Sequence, residues 1–452
     1  MIMQLRPRQL KAIDDLRNAY ANGARAPILV APTGFGKTAT AAEIVRRSVA
    51  RGRKVWFLAH LKEILDDTSC RLRATGISFG QIRAGFSTDY SCPVQVVSVQ
   101  TAMRRPMLPQ PDLIIIDECH LAVAQSYRQV VSACGDPLLL GLTGTPARLD
   151  GRGLGEVFDR LVPTCSTAEL INEGLLAPVR VFTPPGADLS GVHRRGGDYD
   201  QGEAGEILSR PAVVGDALGH WRKLCGGRRG VAFCTTVAHA QAVAAQWRQA
   251  GYRAVAVHGS SEDDERREAV AGLRARRLDL VACAQLWIAG VDVPEIDAVI
   301  WLRPTASLTA WLQGNGRGLR IAPGKADLMV LDHVGNCGRL GHPLVVHEWK
   351  LDGRVKRNRE KAPSIKICPK CFAAMASVAK VCGECGHEFK PEVRELRTVP
   401  GELVELAART RKREQGSAQT LEALRELGRQ RGHRPGWAER VHQARLAKRH
   451  GL

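Results

Sequence analysis

The stretch "ILVAPTGFGKTATAAEIV" at residues 28–45 joins a short apolar run to a segment with the spacing of a helix. Between the two lies the glycine-rich "APTGFGKT" (31–38). A glycine-rich loop between a strand and a helix is the context that a Walker A phosphate-binding loop requires. The stretch therefore predicts an α/β domain that binds a nucleotide.

The residues of this loop suit the chemistry of phosphate binding. Gly34 and Gly36 let backbone N–H groups approach phosphate oxygens, and the helix N-terminus adds positive potential. Lys37 can reach the β- and γ-phosphates of ATP, and Thr38 can hold Mg²⁺. A glycine-rich turn without a ligand is the alternative interpretation.

Two carboxylates follow a second apolar run in "LIIIDECH" (113–120). The carboxyl end of a parallel strand is where ligands bind in such sheets. Asp117 is placed to hold Mg²⁺ through water, and Glu118 to orient or deprotonate an attacking water. By itself the pair is also typical of a solvated helix start, but together with the loop it predicts a hydrolytic site.

Short apolar runs alternate with helical patterns, as in a parallel sheet that helices cover on both faces. The first series is "APILVA" (26–31), "KVWFLA" (54–59), "VQVVSV" (94–99), "DLIIID" (112–117) and "LLLGLT" (138–143). After a Pro/Gly-rich stretch at 183–210, the alternation restarts with "GVAFC", "RAVAV", "LDLVAC", "AVIWL" and "ADLMVLD". The predicted fold class is α/β, with tandem domains at residues 1–178 and 179–350.

The composition limits the partners and the compartment. The chain has 452 residues and a formal charge of +19, which favours a polyanionic partner such as nucleic acid. Most of the 13 cysteines are scattered without regular spacing, which argues against a secreted disulfide framework. No apolar run reaches the length of about 18 residues that a membrane span needs. We expect a cytoplasmic protein.

The order of the motifs over residues 4–335 resembles that of superfamily 2 helicases of the DEAD/DEAH-box type, with the box spelled Asp117-Glu118-Cys119-His120. The resemblance implies two RecA-like domains, with ATP and Mg²⁺ as cofactors. It also implies that Gln9 in "LRPRQ" reads adenine. "GLTGTPAR" (141–148) resembles the coupling motif, in which Thr143 and Thr145 keep the two hydroxyls.

Other segments resemble the elements with which these helicases contact the nucleic-acid strand. They are "FLAH" (57–60), "SVQTA" (98–102), "VAFCTTVAHA" (231–240) and "VHGS" (257–260). "WIAGVDVPEID" (287–297) resembles the motif that links nucleotide and nucleic acid, with Gly290 and Asp292 in the expected places.

The glycine-rich "QGNGRGLR" (313–320) contains candidate arginine fingers. Gln313, Arg317 and Arg320 match the helicase pattern Gln-x-x-Gly-Arg-x-x-Arg. An arginine that neutralises charge on the γ-phosphate is worth about 10³–10⁵ in rate. The resemblance thus implies a site that forms between the two domains and is complete when they close. Alternatively, the arginines bind DNA phosphates or solvate a loop.

The last part of the chain breaks the α/β pattern. We divide it into a basic linker (351–367), a cysteine-paired segment (368–390) and a helical basic tail (391–452), which together hold 23 Lys and Arg against 12 Asp and Glu. Cys368, Cys371, Cys382 and Cys385 form two Cys-x2-Cys pairs, the spacing of a structural zinc ribbon. A redox pair or a coincidence is the alternative, and we expect His387 not to be a ligand.

The tail and the linker each allow two interpretations. Leu421, Leu424 and Leu427 have helical spacing, which indicates a packing face, with a contact to nucleic acid or a partner as the alternative. The basic linker either binds phosphates or is solvated. Trp437 either anchors a terminal helix or stacks on bases. A helicase core followed by a four-cysteine ribbon and such a tail resembles helicases encoded by phages and prophages.

The leading hypothesis is an ATP-dependent DNA helicase or translocase that serves phage or mobile-element replication or recombination, with proteins of those processes as possible partners. DNA is preferred over RNA because the last motif begins with Gln313 rather than the His-Arg of most DEAD-box RNA helicases. The alternatives are the duplex-DNA motor of a restriction or remodelling complex, an RNA helicase, and a nucleic-acid binding protein whose ATPase has decayed. The presence of Lys37, Glu118 and Arg320 speaks against the last.

Overall fold

The continuous apolar runs form buried strands, and the segments between them form helices. The computed structural model describes residues 5–60, 62–105, 108–121, 125–148, 153–183, 191–195, 198–208, 217–284, 293–352, 365–389, 418, 420–430 and 436–449. The chain divides into two compact units, residues 1–390 and 391–452, and both large sheets belong to the first unit.

The first domain is built on a parallel sheet of seven strands. The strands are β1 (Pro27–Val30), β2 (Val55–Ala59), β3 (Phe79–Ile82), β4 (Val94–Ser98), β5 (Leu113–Asp117), β6 (Leu138–Thr143) and β7 (Arg160–Pro163). The helices are α1 (Pro7–Ala21), α2 (Lys37–Val49), α3 (Lys62–Ala74), α4 (Val99–Ala102), α5 (Gln125–Ala133) and α6 (Thr167–Asn172). The order across the sheet is β3-β4-β2-β5-β6-β1-β7.

The second domain contains a parallel sheet of six strands. They are β8 (Val179–Phe182), β11 (Gly230–Cys234), β12 (Ala254–His258), β13 (Leu280–Ala284), β14 (Ala298–Trp301) and β15 (Leu328–Asp332), in the order β12-β13-β11-β14-β15-β8. A small antiparallel pair, β9 (Arg194–Arg195) and β10 (Asp198–Tyr199), precedes the helices α7 (Gln201–Leu208), α8 (Ala217–Leu224), α9 (Val237–Gln249), α10 (Asp263–Arg274), α11 (Leu308–Gly318) and α12 (Asn336–Leu340). The predicted α/β class with two parallel-sheet domains is confirmed.

The interior strands are buried on both faces, which is why they read as unbroken apolar runs. All residues of β2 and of β13 are buried, for example Phe57 and Val281. Burial of a side chain of this size stabilises the fold by about 1.5–3 kcal/mol. The sequence-based prediction missed the edge strands β3, β7 and β8, whose outer residues are only partly buried and therefore carry no continuous apolar signal.

The sheet order determines what lies together at the carboxyl edge of the first domain. Strands β5, β6 and β1 are neighbours, so the loops that follow them share one part of this edge. Strands β2 and β4 are neighbours on the other side of β5, so the loops that follow them share the adjoining part. Parallel sheets bind ligands at this edge.

The remaining elements are short. An antiparallel hairpin, β16 (Ile365–Ile367) and β17 (Ala374–Ala376), carries the cysteine-paired segment. The second unit contains α13 (Leu421–Gln430) and α14 (Trp437–Arg449). Among the residues that the structure describes, no helix combines the length and the apolarity that crossing a membrane would require.

Candidate active site

The glycine-rich loop lies between β1 and α2, at the carboxyl edge of the first sheet. Gly34 and Gly36 have φ angles of +83° and +93°, a region in which residues with a Cβ are strained. Lys37 begins α2, and its Nζ donates a hydrogen bond to the Ala31 carbonyl at 3.1 Å. The amine therefore lies within the loop at a helix N-terminus, where an anion is stabilised.

Asp117 and Glu118 lie at the end of β5, two strands away from the loop. The Glu118 N–H donates to Asp117 Oδ1 at 2.9 Å, and Glu118 has a φ of +47°, which is unusual for a residue other than glycine. Removal from solvent and the charge of Glu118 raise the pKa of Asp117 to about 7, while Lys37 opposes the shift. A divalent cation at this position would favour the ionised carboxylate.

One carboxylate oxygen of Glu118 is approached by polar groups from three segments. Gln313 Nε2 donates to Glu118 Oε2 at 3.2 Å, and the Thr143 hydroxyl lies 3.5 Å from the same oxygen. His120 Nδ1 is 3.4 Å from it, and burial lowers the pKa of His120 against the attraction of Glu118, which favours the neutral imidazole. Because Gln313 belongs to α11, the second domain directly contacts the acid pair of the first.

Arg317 and Arg320 lie at the end of α11 and just after it. They line a cleft of about 510 Å³ together with other predicted site residues, namely Gly34, Gly36, Lys37, Thr38, Asp117, Glu118 and Gln313. Burial lowers the pKa of Arg317 to about 10, against the attraction of Glu118. Burial and the charge of Arg71 lower the pKa of Arg320. Both groups remain cations at neutral pH.

Gln9 lies against the loop rather than in the cleft. Its Nε2 donates to the Phe35 carbonyl at 3.1 Å, and its Oε1 accepts from the Arg6 N–H at 2.8 Å. The Arg6 guanidinium also donates to the Phe35 carbonyl, at 2.9 Å, and Arg6 lines the cleft. Both ends of the Gln9 amide thus have partners within the protein in this structure.

Two predicted site residues, Gly290 and Asp292, lie outside the described residues. Sequence reasoning missed Arg6, Asp67 and Arg71, which line the cleft beside the predicted residues. Arg6 is part of "LRPRQ", the segment that also contains Gln9, and the α3 residues Asp67 and Arg71 have a spacing that is common on any solvated helix face. No sequence signal distinguishes the latter two.

The two domains match two families of known proteins. Residues 2–148 match the family described as "Type III restriction enzyme, res subunit". Residues 216–322 match "Helicase conserved C-terminal domain". Together the two matches support a superfamily 2 helicase.

The helicase has relatives in phages and in eukaryotes. It is 29% identical over 369 residues to the "51.5 kDa protein" of Lactococcus phage (isolate 7-9). The aligned region covers 81% of this chain and 78% of the phage protein. It is 26% identical over 360 residues to "Putative ATP-dependent helicase IRC3" of Saccharomyces cerevisiae. The aligned region covers 73% of this chain and 51% of the yeast protein. The helicase therefore spans about half the length of IRC3.

A solved structure has the same fold. It is the fragment of a "putative HsdR subunit of a type I restriction enzyme" from Vibrio vulnificus YJ016, with a TM-score of 0.60 at 20% identity. The match covers 79% of the helicase and 68% of the fragment. The helicase domains and these relatives identify the chain as a helicase-type ATPase that acts with nucleic acid.

The segments that resemble strand-contacting elements lie at neighbouring strand ends. His60 directly follows β2, and Ser98 ends β4, the adjacent strand. Gln100 Nε2 donates to the His60 carbonyl at 3.2 Å, so the two segments are in contact. In the second domain, "VHGS" (257–260) begins at the carboxyl end of β12.

The four paired cysteines form one cluster whose sulfur atoms all lie within 4.8 Å of one another. Cys368 and Cys385 have Sγ atoms 3.6 Å apart, as do Cys371 and Cys382. Four sulfurs at the Zn–S distance of about 2.3 Å from one ion would be separated by about 3.8 Å, which fits these values. His387 is outside the cluster, and its ring packs edge-on against Phe389.

The tail helices pack on each other. Leu424 is buried, and Arg425 Nε donates to Glu439 Oε1 at 2.8 Å. A Cβ on Gly428 would lie 3.2 Å from Trp437 Cε3, so the indole lies close against α13. This contact favours the anchoring interpretation of Trp437. The basic residues of the linker, such as Arg354 and Lys356, lie outside the described residues.

Proposed function

We propose that this chain is an ATP-dependent DNA helicase or translocase that couples hydrolysis in the cleft to movement along nucleic acid. The observation that carries the proposal is the contact of Gln313 Nε2 with Glu118 Oε2 at 3.2 Å, in a cleft that Lys37 and Arg317 also line. Because these side chains come from both sheet domains, nucleotide binding or release would change how the domains are held together.

The proposal first assigns roles to five residues that line the cleft. Lys37 would bind the β- and γ-phosphates, and Thr38 and Asp117 would hold Mg²⁺, which neutralises phosphate charge when it is bound. Glu118 would orient the attacking water and accept its proton. Gln313 would hold the Glu118 carboxylate in place through the hydrogen bond described above.

The two arginines would act on the charge that develops in the transition state. Arg317 and Arg320 line the cleft from the second domain, and an arginine finger is worth about 10³–10⁵ in rate. Adenine recognition by Gln9 stays a prediction that requires its amide to exchange partners from the Phe35 carbonyl to the base. The coupling roles of Gly290 and Asp292 also stay predictions.

DNA is the proposed polymer. Gln313 opens the last motif, and the family matches and the phage relative support this choice. The strand would contact the loops after β2 and β4, where His60 and Ser98 lie beside the nucleotide part of the same edge. A role in phage or mobile-element replication or recombination is part of this proposal, and the resemblance to a phage protein supports it.

We also propose that the cysteine cluster holds a structural Zn²⁺. The four cysteine sulfurs would complete a tetrahedral shell around the ion and would leave no open position for catalysis at the metal. The ion would stabilise a hairpin that is too small to form a core of its own.

A duplex-DNA motor is the second candidate. The first domain matches the res subunit of type III restriction enzymes, and the fold matches a fragment of an HsdR subunit. Such a motor would move along duplex DNA without separating its strands. The polymer that stimulates ATP hydrolysis distinguishes the two candidates.

The test is the ATP hydrolysis rate of the purified full chain alone and with single-stranded DNA, duplex DNA or RNA. Glu118→Gln and Lys37→Ala are the controls, since both are expected to abolish turnover and keep the fold. Stimulation by DNA that both variants lack would support the proposal. Stronger stimulation by RNA would overturn the choice of DNA, and duplex stimulation without strand displacement would favour the motor. Absence of hydrolysis with every polymer would contradict the proposed function.

A further inference from the structure

The segment that connects the two sheet domains contacts the glycine-rich loop (31–38), called the phosphate loop below after its proposed function. It follows α6, turns at Gly174 with a φ of +69°, and leads into β8. Within it, Leu176 is 2% exposed. A Cβ on Gly34 would lie 2.3 Å from Leu176 Cδ2, so the leucine side chain occupies the space that the glycine leaves free.

The same segment is joined to the arginines through its backbone. The Ala177 N–H donates to the Leu319 carbonyl at 2.7 Å, and Leu176 pairs with Arg320 in an antiparallel bridge. Leu175 lines the cleft together with Arg320. The residue whose side chain packs on the phosphate loop is therefore the backbone partner of a candidate finger.

Further contacts hold the beginning of the segment to the first domain. The N–H groups of Leu175 and Leu176 donate to the Leu170 carbonyl at 2.9 and 3.2 Å. Arg8 of α1 forms ion pairs with Glu169, at 3.2 Å, and with Glu173. Because the segment is held to α1 and α6 at one end and enters the second sheet at the other, Leu176 lies where the two domains meet.

We propose that Leu176 is a positioning residue for ATP hydrolysis and that its side chain sets the distance between Arg320 and the phosphate loop. This inference rests on the proposed function of the cleft. Van der Waals contact acts over a short range, so truncating Leu176 removes the side chain that links Gly34 to the backbone pairing with Arg320. A shift of about 1 Å in a catalytic group can cost about 10² in rate.

The experiment compares Leu176→Ala, Leu176→Met and Leu273→Ala in the full chain. Leu273 is a buried leucine of α10 and controls for the general loss of core packing. We expect Leu176→Ala to lower kcat for ATP about 10- to 100-fold with a change in KM below about threefold. Leu176→Met should regain most of the rate because it refills a similar volume. Leu273→Ala should lower the Tm and leave kcat near that of the parent chain.

The double variant Leu176→Ala/Arg320→Ala separates a positioning role of Leu176 from a general loss of stability. If Leu176 acts through Arg320, the double variant hydrolyses ATP no more slowly than Arg320→Ala alone. Additive losses, or equal losses in Leu176→Ala and Leu273→Ala, would overturn the inference. The rates are measured with and without single-stranded DNA. Lack of stimulation of the parent chain by both single-stranded and duplex DNA contradicts the proposed function, while its basal kcat still tests Leu176.

Discussion

Glu118 is the residue around which the site is arranged. It combines a strained φ of +47° with contacts from Gln313, Thr143 and His120 to one oxygen. Strained residues persist where the surrounding structure holds them, and they concentrate at functional sites. A neutral His120 adds a polar group to Glu118 without a second charge, since burial lowers the pKa of His120. The carboxylate is therefore oriented by dipoles and by one amide of the second domain.

Removing Arg320 tests the arginine-finger assignment. We expect Arg320→Ala to lower the ATP turnover rate by at least about 10³-fold because the transition-state charge loses its partner. Nucleotide affinity, measured with a fluorescent ATP analogue, should change little, since Lys37 and the loop remain. Arg222→Ala, an exposed arginine of α8, is the matched control. Normal ATP turnover in Arg320→Ala would contradict the arginine-finger assignment.

His342 makes the stability of the chain depend on pH. Its Nδ1 accepts from the Leu344 N–H at 3.3 Å, and burial lowers the pKa of His342 to about 4. The unfolded chain titrates near the ordinary value of about 6.5, so between these values it binds more protons than the folded chain. The free energy of unfolding therefore falls as the pH drops from about 6.5 to 4, by up to about 1.4 kcal/mol per unit.

The measurement is the Tm at pH 7.5 and at pH 5.5. We expect His342→Gln to show a smaller drop between the two conditions than the parent chain. Equal drops in the parent chain and in His342→Gln would contradict the assignment.

At the scale of elements, the close approach of α11 to the phosphate loop joins the domains. A Cβ on Gly316 would lie 2.7 Å from Thr33 Oγ1 and 3.2 Å from Thr33 Cβ. Only a glycine lets this helix lie so near the loop without moving Thr33. Packing thereby explains the glycine at position 316 in "QGNGRGLR", in addition to the roles of the arginines.

Substituting Gly316 tests this packing. Gly316→Ala should lower ATP turnover about tenfold or more, because the added methyl displaces α11 and with it Gln313 and Arg317 from the cleft. Adding Thr33→Ala should restore part of the rate by removing the nearest atom. Gly338→Ala, in α12 with open space around its Cβ position, should hydrolyse ATP normally. A fully active Gly316→Ala would show that α11 tolerates a shift.

At the scale of the whole first unit, the cysteine hairpin packs as part of the second domain. Phe182 of β8 pairs with Ala373 in an isolated bridge, and the Thr183 N–H donates to the Phe372 carbonyl at 2.9 Å. Cys368 and Cys382 are buried in the same apolar cluster as Phe182. Arg180 of β8 also forms an ion pair with Glu384. The hairpin thus covers the edge of the second sheet and is not an independent module.

Metal loss should consequently destabilise more than the hairpin. We expect Cys368→Ser/Cys371→Ser to lose its zinc, measured by elemental analysis, and to lower the Tm of the first unit by several degrees. A chelator should do the same to the parent chain. The exposed Cys70 serves as the control, and Cys70→Ser should keep both the metal and the Tm. An unchanged zinc content in the double variant would contradict the assignment of the cysteine cluster as a zinc site.

Much of the fold and of the candidate site could be predicted because these features depend on short segments of sequence. The strand–loop–helix at 28–45 and the acid pair after β5 are local patterns, and the structure places Lys37, Asp117 and Glu118 in one cleft. The edge strands β3, β7 and β8 escaped prediction because pairing on one side only requires no continuous apolar run. Arg6, Asp67 and Arg71 escaped because ordinary polar residues become part of a cleft only through what packs beside them.

The sequence by itself determined the fold class, the order of the two sheet domains and the position of the glycine-rich loop between a strand and a helix, since hydrophobic periodicity and glycine positions act through neighbours along the chain. Only the tertiary structure decided that Gln313 reaches Glu118, that Leu176 fills the space beside Gly34, and that the cysteine hairpin covers β8. These contacts join residues that are distant in sequence. The distances between these residues depend on how helices and strands pack against one another without overlap. No local sequence pattern specifies that packing.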